Sequence, residues 1–391
     1  MRRIDREVFK RSGSLHIADV TMFYAPASGG VRTYLDAKHR RLAKLPGVTC
    51  SLLIPGSQLF THNGIHEVPS PPLPFSQGYR FPLRRRGWER ELVRLSPDII
   101  EAGDPYVTAW AALRAGRKLD VPVVGFYHSD LPRLISNRLG SGTDKLIERY
   151  VHQLYRRFDQ VLAPSRVMAE RLTRLGIERV AIQPLGVDLE TFHPSRRDLA
   201  LRERLNLDDT TKLLIFVGRG SREKNLHDLL KTARLLGKGY HLLLVGPSMP
   251  SQVPDNVSVI DRYTPTEEVA SWLASSDALV HAGTQETFGL VALEAMASGI
   301  PVVAARAGAL AENVPLGCGL LSEPHSPADM ARAVKELFAN HDAAQAGRRA
   351  RRYVERNHDW DVVIDGLLSH YRRLTSATEG AGEAQQGSQH G

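Results

Sequence analysis

Short apolar runs alternate with longer amphipathic stretches along most of the chain. In the first half SLHIADV (14–20), VTCSLLI (48–54), PDIIEAG (97–103), VPVVGFYH (121–128), DQVLAPS (159–165) and RVAIQPL (179–185) read as strands. Helical spacing separates them over about 31–44, 106–117 and 141–157, and again between the last two strands. The second half repeats the style. KLLIFVG (212–218), YHLLLVG (240–246), NVSVI (256–260), DALVHAG (277–283) and IPVVAAR (300–306) predict strands, with helices from near Asn225 and over FGLVALEAMASG (288–299). Strands joined through helices build parallel sheets covered on both faces. The fold class is therefore α/β, with two similar doubly wound, Rossmann-like domains. The Pro- and Gly-bearing segment QPLGVDLETFHPS (183–195) marks their boundary, giving domains over 1–187 and 188–358. A last helix over 359–376 is expected to cross back to the N-terminal domain. The small, polar residues 377–391 predict a disordered tail.

Composition narrows the class. The 391 residues are 42% hydrophobic and 24% charged, which excludes a wholly disordered, collagen-like or disulfide-scaffold protein. Lys and Arg number 51 against 43 Asp and Glu, a net charge of +8 that points to an anionic partner: phosphate, lipid head group or nucleic acid. Cys50 and Cys318 lie far apart and are read as reduced thiols. No apolar stretch reaches the ~18 residues of a membrane span. The basic N-terminus lacks an apolar run of signal-peptide length, so a cytoplasmic protein is expected, with membrane contact peripheral if it occurs.

Four segments carry candidate chemistry. In HAGTQETFGLVALEAMASGIPVVA (281–304) the helix is apolar nearly all round, which predicts burial, yet it contains Glu294. A buried carboxylate needs a partner or a ligand. Glu286 precedes it by eight residues, roughly 12 Å along a continuous helix, a span that suits two ends of an extended ligand. Thr284 or Thr287 is expected to cap this helix, and Gly289 leaves its first N–H groups open to an anion. The bland alternative is a Glu294 paired to an internal Arg. In FVGRGSREKN (216–225), Arg219 and Lys224 flank a loop after a strand, as a diphosphate clamp or as two solvated charges. YAPASGGVRTY (24–34) sets Gly29 and Gly30 before a helix, where backbone can approach a ligand or simply turn. In FYHSDLP (126–132), His128 ends a strand, where open α/β sheets bind ligands. Asp130 can orient it, serve an acceptor, or be solvated.

Taken together these motifs resemble the family-4 retaining glycosyltransferases of the GT-B fold. Glu286 to Glu294 matches the family's E-x7-E motif, FVGRGSREKN its G-R-x-x-x-E-K loop, APS (163–165) and GVDLETFHP (186–194) its interdomain signatures, and ASGGV (27–31) its Gly-Gly loop. The resemblance spans about residues 14–375. It implies two domains facing each other across a cleft, closing about a hinge near 184–195, with a nucleotide diphosphate sugar held mainly by the second. It implies that Arg219 and Lys224 contact the diphosphate with the Gly289–Leu290 helix end, and that Glu294 takes the ribose hydroxyls. It assigns Glu286 and His128 to the donor sugar, Gly29 and Gly30 to the phosphates or reaction centre, and Val245, Gly246, Pro247, Arg262 and Tyr263 to the region of the base. It implies retention at the anomeric carbon, with no metal or other cofactor required. GDP-mannose leads UDP-glucose as expected donor, and the expected acceptor is a hydroxyl on a lipid-linked or cell-surface glycan precursor.

Weaker features complete the reading. YRFPLRRRGWERELVRL (79–95) joins Arg80, Arg84, Arg85, Arg86, Arg90 and Arg94 with Phe81, Trp88 and Leu92, which suits an anionic membrane surface or a solvated helix face. No nucleic-acid module accompanies it, so nucleic acid is not an expected partner. Asp359 and Asp361 have D-x-D spacing but open the last helix, where capping explains them. Ser165 is not in a nucleophile elbow. Two other functions fit the same motifs: a non-catalytic nucleotide-sugar sensor or scaffold, and another enzyme on this fold, such as an epimerase or a phosphorylase.

Overall fold

The computed structural model describes residues 14–25, 30–73, 78–133, 142, 144–339 and 343–387. The chain divides into two units, one of Met1–Gln183 with Ile364–Gly391 and one of Pro184–Val363.

The first unit is built on β1 (Leu15–Val20), α1 (Gly30–Leu42), β2 (Val48–Gly56), β3 (Phe60–His62), β4 (Ile65–Pro69), α2 (Arg85–Leu95), β5 (Ile99–Ala102), α3 (Val107–Leu119), β6 (Val123–Phe126), α4 (Asp144–Tyr155), β7 (Gln160–Ala163), α5 (Arg166–Arg174) and β8 (Val180–Ile182). Its sheet has eight strands in the order β3-β4-β2-β1-β5-β6-β7-β8. All pairs are parallel except β3 with β4. That hairpin was not expected, because its strands are short and polar. Its turn carries a signal all the same: Asn63 and Gly64 both take positive φ, 46° and 77°, as a tight two-residue turn requires. Strand order reverses between β1 and β5, the place where open α/β sheets form a ligand crevice.

A charged cluster lies inside this unit. Lys38 of α1 has no exposed surface. Its ammonium donates to Asp19 of β1 at 2.7 Å and to Glu101 of β5 at 2.9 Å, two residues directly opposite in the strand register. It also donates to the Tyr371 hydroxyl at 2.8 Å, and that hydroxyl donates to Glu101. His39 meets the other oxygen of Asp19 at 2.6 Å. Burial alone would raise the Asp19 pKa, but Lys38 and His39 outweigh it and hold it low. Burial raises that of Glu101, with Lys38 pulling the other way. Every charge here is matched, which is the condition for ions to remain in a core.

The second unit contains β9 (Lys212–Val217), α6 (Leu226–Leu236), β10 (Tyr240–Val245), β11 (Val257–Ile260), α7 (Thr266–Ser275), β12 (Ala278–His281), α8 (Leu290–Ala297), β13 (Val302–Ala305), β14 (Gly319–Ser322), α9 (Pro327–Ala339) and α10 (Ala343–Asn357). Its six strands lie in the order β11-β10-β9-β12-β13-β14, all parallel. The core gathers Leu214, Phe216, Leu242, Leu244, Val280 and Val303 from the strands with Leu229 and Val334 from the helices. Helix α11 (Trp360–Gly387) starts in this unit, and the chain passes into the first unit at Ile364.

Two placements differ from the expected ones. The first break falls after Gln183, not at 187. The segment beyond it is tied down within the second unit: the Val187 N–H donates to His358 O at 2.9 Å, and the Arg351 guanidinium donates to Phe192 O at 2.7 Å and Ala297 O at 2.6 Å. The end of the chain is helical through Gly387, where a structureless tail was expected from 377. Its Ala, Glu and Gln residues are good helix formers, and they extend a helix already nucleated by packed residues. Residues 388–391 lie outside the described part. No helix among the described residues is long and apolar enough to cross a membrane.

Candidate functional site

The loop after β12 and the helix α8 form the centre of the site. Helix α8 begins at Leu290, so Glu286 sits in the preceding loop and the continuous-helix estimate of its distance to Glu294 does not apply. The residue before the helix is Gly289, at φ 80°, so the N-cap position falls on a residue with no side chain and not on Thr284 or Thr287. Only glycine takes this conformation without strain, and a Cβ there would press to 3.0 Å from Leu310 Cδ2. Gly289 therefore offers the first-turn N–H groups of α8 no side-chain acceptor of its own.

Ala292, Leu293, Ala295, Met296 and Ala297 bury one side of α8, and Leu290, Val291 and Glu294 share a half-buried side. Among the described residues the Glu294 carboxylate has neither an ion pair nor a hydrogen bond. The internal arginine offered as its alternative partner is absent. Burial alone pushes its pKa up, to about 7. Such a group gains most from a neutral donor, such as a ligand hydroxyl, that repays its lost hydration.

Glu286 differs. Its Oε1 accepts from the Lys224 ammonium, and His281 Nε2 stands 3.5 Å from the same oxygen. Burial would raise the Glu286 pKa, but Lys224 and His281 more than offset it, and the carboxyl is held below its usual range. Lys224 follows β9 in a short 3-10 turn, Arg222–Lys224. The two loops are laced together: Asn225 Nδ2 donates to Ala282 O at 2.9 Å, and the Thr284 N–H donates to Glu223 O at 3.3 Å. On the other side, the Ala309 N–H donates to Glu286 O at 2.9 Å, and Asn313 donates to Phe288 O. The carboxylate is thus approached by Lys224 and His281 while its loop is tied to 223–225 and to 309–313, and sequence spacing gave no hint of His281 or Asn225 as members.

Arg219 is exposed and makes no ion pair among the described residues. Its loop packs on the one after β10, with the Gly218 N–H on Val245 O and the Gly220 N–H on Pro247 O, both 2.9 Å. The structure thus brings Arg219, Lys224, Glu286, Gly289, Leu290 and Glu294 into one unit at the carboxyl ends of β9 and β12. Two other residues fit less well as ligand contacts. Val245 is fully buried and offers no side-chain surface. Arg262 is exposed but engaged with Glu268 at 2.6 Å.

His128 and Gly30 belong to the first unit; Gly29 lies outside the described residues. Gly30 opens α1. The His128 ring stacks on Phe126 at 4.2 Å and lies 5.0 Å from the Tyr34 ring. Burial, and then the Lys38 charge, push its pKa down to about 3, so the imidazole is neutral. Asp130 does not orient it. That carboxylate is buried, pairs with Arg171 at 2.7 Å and accepts from Tyr127 at 3.0 Å, a structural role.

The basic stretch is also redefined. Trp88 and Leu92 are core residues, so no aromatic face is offered by α2. Glu89 and Glu91, nearly buried, hold Lys118 and Arg94. Besides the paired Arg94, the arginines that stay exposed are Arg84, Arg86 and Arg90, beside Leu83. Asp359 caps α11, accepting from the Asp361 N–H at 2.8 Å, and Ser165 caps α5, accepting from the Met168 N–H at 3.3 Å. Both cysteines are free. Among the described residues no group of three His, Cys, Asp or Glu side chains is placed to hold a metal ion.

Comparison with known proteins matches these features to a family. Residues 28–191 match Glycosyltransferase Family 4, and residues 198–354 match Glycosyl transferases group 1. A GDP-mannose-dependent alpha-mannosyltransferase of Mycobacterium tuberculosis (strain CDC 1551 / Oshkosh) is 33% identical over 81% of this chain and 85% of its own. A GDP-mannose-dependent alpha-(1-6)-phosphatidylinositol dimannoside mannosyltransferase of M. tuberculosis (strain ATCC 25177 / H37Ra) is 29% identical over 87% of this chain and 92% of its own. Among solved structures, sucrose-phosphate synthase from Thermosynechococcus elongatus superposes with a TM-score of 0.78 at 20% identity, covering 93% of this chain and all of that one. With two parallel-sheet units and the site just described, the chain belongs to the family-4, group-1 glycosyltransferases of the GT-B fold.

Proposed function

We propose that the enzyme transfers a hexose, mannose from GDP-mannose ahead of glucose from UDP-glucose, to an acceptor hydroxyl with retention at the anomeric carbon. The observation that carries the donor site is Glu294, a carboxylate without a protein partner among the described residues, in an otherwise apolar helix. It accepts hydrogen bonds from the ribose hydroxyls. Arg219, Lys224 and the uncapped start of α8 meet the diphosphate, and their attraction grows as the leaving group gains charge, which is how such a site lowers a barrier. The bond from the anomeric carbon to the donor phosphate oxygen breaks, the bond to the acceptor oxygen forms on the same face, and a leaving phosphate oxygen takes the acceptor proton. Glu286 contacts the sugar hydroxyls, and His128, neutral in its own unit, is suited to hydrogen-bond a hydroxyl. Both mycobacterial relatives are named for GDP-mannose, which supports the order of donors.

The test is a thermal-shift screen with GDP-mannose, UDP-glucose and the bare nucleotides, followed by transfer assays. Binding raises the melting temperature with occupancy, and GDP-mannose is expected to give the largest rise. Arg219→Ala with Lys224→Ala is expected to abolish transfer; full activity in that double variant would remove the diphosphate clamp.

The acceptor we place on a lipid-linked or cell-surface glycan precursor, reached by peripheral contact at the inner face of the membrane. Exposed Arg84, Arg86 and Arg90 support this through attraction to anionic head groups, at about 1 kcal/mol per basic residue. Co-sedimentation with phosphatidylglycerol vesicles should fall as salt rises; indifference to lipid charge argues against the contact.

A further inference from the structure

Beneath the loop that carries Glu286 lies a histidine to which the reaction above gives no task. His281 ends β12, has no exposed surface, and packs 5.2 Å from the Phe216 ring. Its two nitrogens are used differently. The Gly283 N–H donates to Nδ1 at 3.0 Å. An accepting ring nitrogen carries no proton, so the neutral ring must carry it on Nε2. Burial keeps the ring neutral, against the pull of Glu286, with the pKa pushed down to about 4. The tautomer is further enforced by Gly283, since a Cβ there would come 2.5 Å from the His281 ring and displace the N–H that sets it.

The Nε2–H group is buried and makes no hydrogen bond among the described residues. The acidic oxygen it approaches is Glu286 Oε1, at 3.5 Å, the one already gripped by Lys224. Lys224 comes from the loop after β9 and His281 from the strand below, so the two donors approach one oxygen from two elements. Glu286 Oε2 has no partner among the described residues and is the oxygen left for a ligand.

We propose that His281 is a positioning residue, whose Nε2–H fixes Glu286 Oε1 so that Oε2 is presented to a hydroxyl of the donor sugar. The inference rests on the reading that Glu286 contacts that sugar. His281 touches neither substrate nor reacting atoms. It turns a carboxylate held by one flexible lysine into one held from two directions, and a small misplacement of a contacting group can cost about a hundredfold in rate.

The experiment compares His281→Phe, which keeps a ring but no N–H, with His281→Gln, which keeps a donor and an acceptor. Steady-state transfer is measured with whichever of GDP-mannose or UDP-glucose the wild type turns over, and affinity for GDP and UDP alone by calorimetry. His281→Phe is expected to lower kcat about 10- to 100-fold, with affinity for the bare nucleotide unchanged, and His281→Gln to restore most of the loss. Wild-type kcat in His281→Phe overturns the inference, as does an equal loss of nucleotide affinity, which marks a merely structural role. Should the Phe variant not fold, a loss of kcat in His281→Gln as large as that expected of Phe overturns it too, and near-wild-type kcat there supports it. A wild type that transfers no sugar from any nucleotide donor overturns the functional reading itself, and this inference with it.

Discussion

Two carboxylate sites show opposite uses of burial. In the first unit Asp19 and Glu101 are matched by Lys38, His39 and Tyr371. In the second, Glu294 sits on a helix with no counter-charge, and burial raises its pKa to about 7. A closed cluster has no capacity left for a ligand, and its contribution is to fix β1, β5 and α1 against one another. An open carboxylate costs stability in the unliganded protein and recovers it when a ligand supplies the missing donors. Counting partners thus separates a framework charge from a binding charge where residue type and burial do not.

The largest expected effect breaks the closed side. Lys38→Met leaves two buried carboxylates without their cation and should destabilise the protein by about 3–5 kcal/mol, read from the urea midpoint; an unchanged midpoint would show that the cluster is not the framework claimed. On the open side, Glu294→Gln should leave folding intact while weakening nucleotide-sugar binding about 10- to 100-fold, equivalent to about 1.4–2.7 kcal/mol. Retained affinity, measured by calorimetry, would remove Glu294 from the donor site. Ser165→Ala probes a third, fully satisfied polar group: loss of the helix cap should cost about 1 kcal/mol with transfer unaffected.

The open side also predicts a pH dependence. The folded-state pKa of Glu294 is raised from 4.5 to about 7, so the folded state holds this proton more tightly than the unfolded state. Its stabilising contribution is complete below 4.5 and is lost as pH rises through 7. The urea midpoint of Glu294→Gln, relative to wild type, should therefore climb between these two values. A flat difference would mean that Glu294 has found a partner.

The open site was legible in the sequence and the closed one was not, for a physical reason. Glu294 is conspicuous because it interrupts an apolar period, and Glu286, Arg219 and Lys224 stand beside strand and helix ends that local pattern locates. Lys38 lies in AKHRRL, which reads as a solvated helix face. Only strands 19 and 63 positions away, and a tyrosine 333 away, make it a core residue. His281 was hidden differently, as the last residue of an apolar strand whose neighbours give no sign of what its ring faces. The parallel strands were readable because each is a local apolar run. The β3–β4 hairpin was overlooked although Asn63-Gly64 announced it, since the apolar alternation beside that turn is weak.

Tyr371 bears on how the protein is made. A ribosome releases Asp19, Lys38 and Glu101 early, but the hydroxyl that completes their cluster comes 333 positions after Lys38. The second unit, Pro184–Val363, is one uninterrupted stretch. The unit begun first is therefore the one whose residues are synthesised last: its charged cluster lacks a member until the whole of Pro184–Val363 has been made.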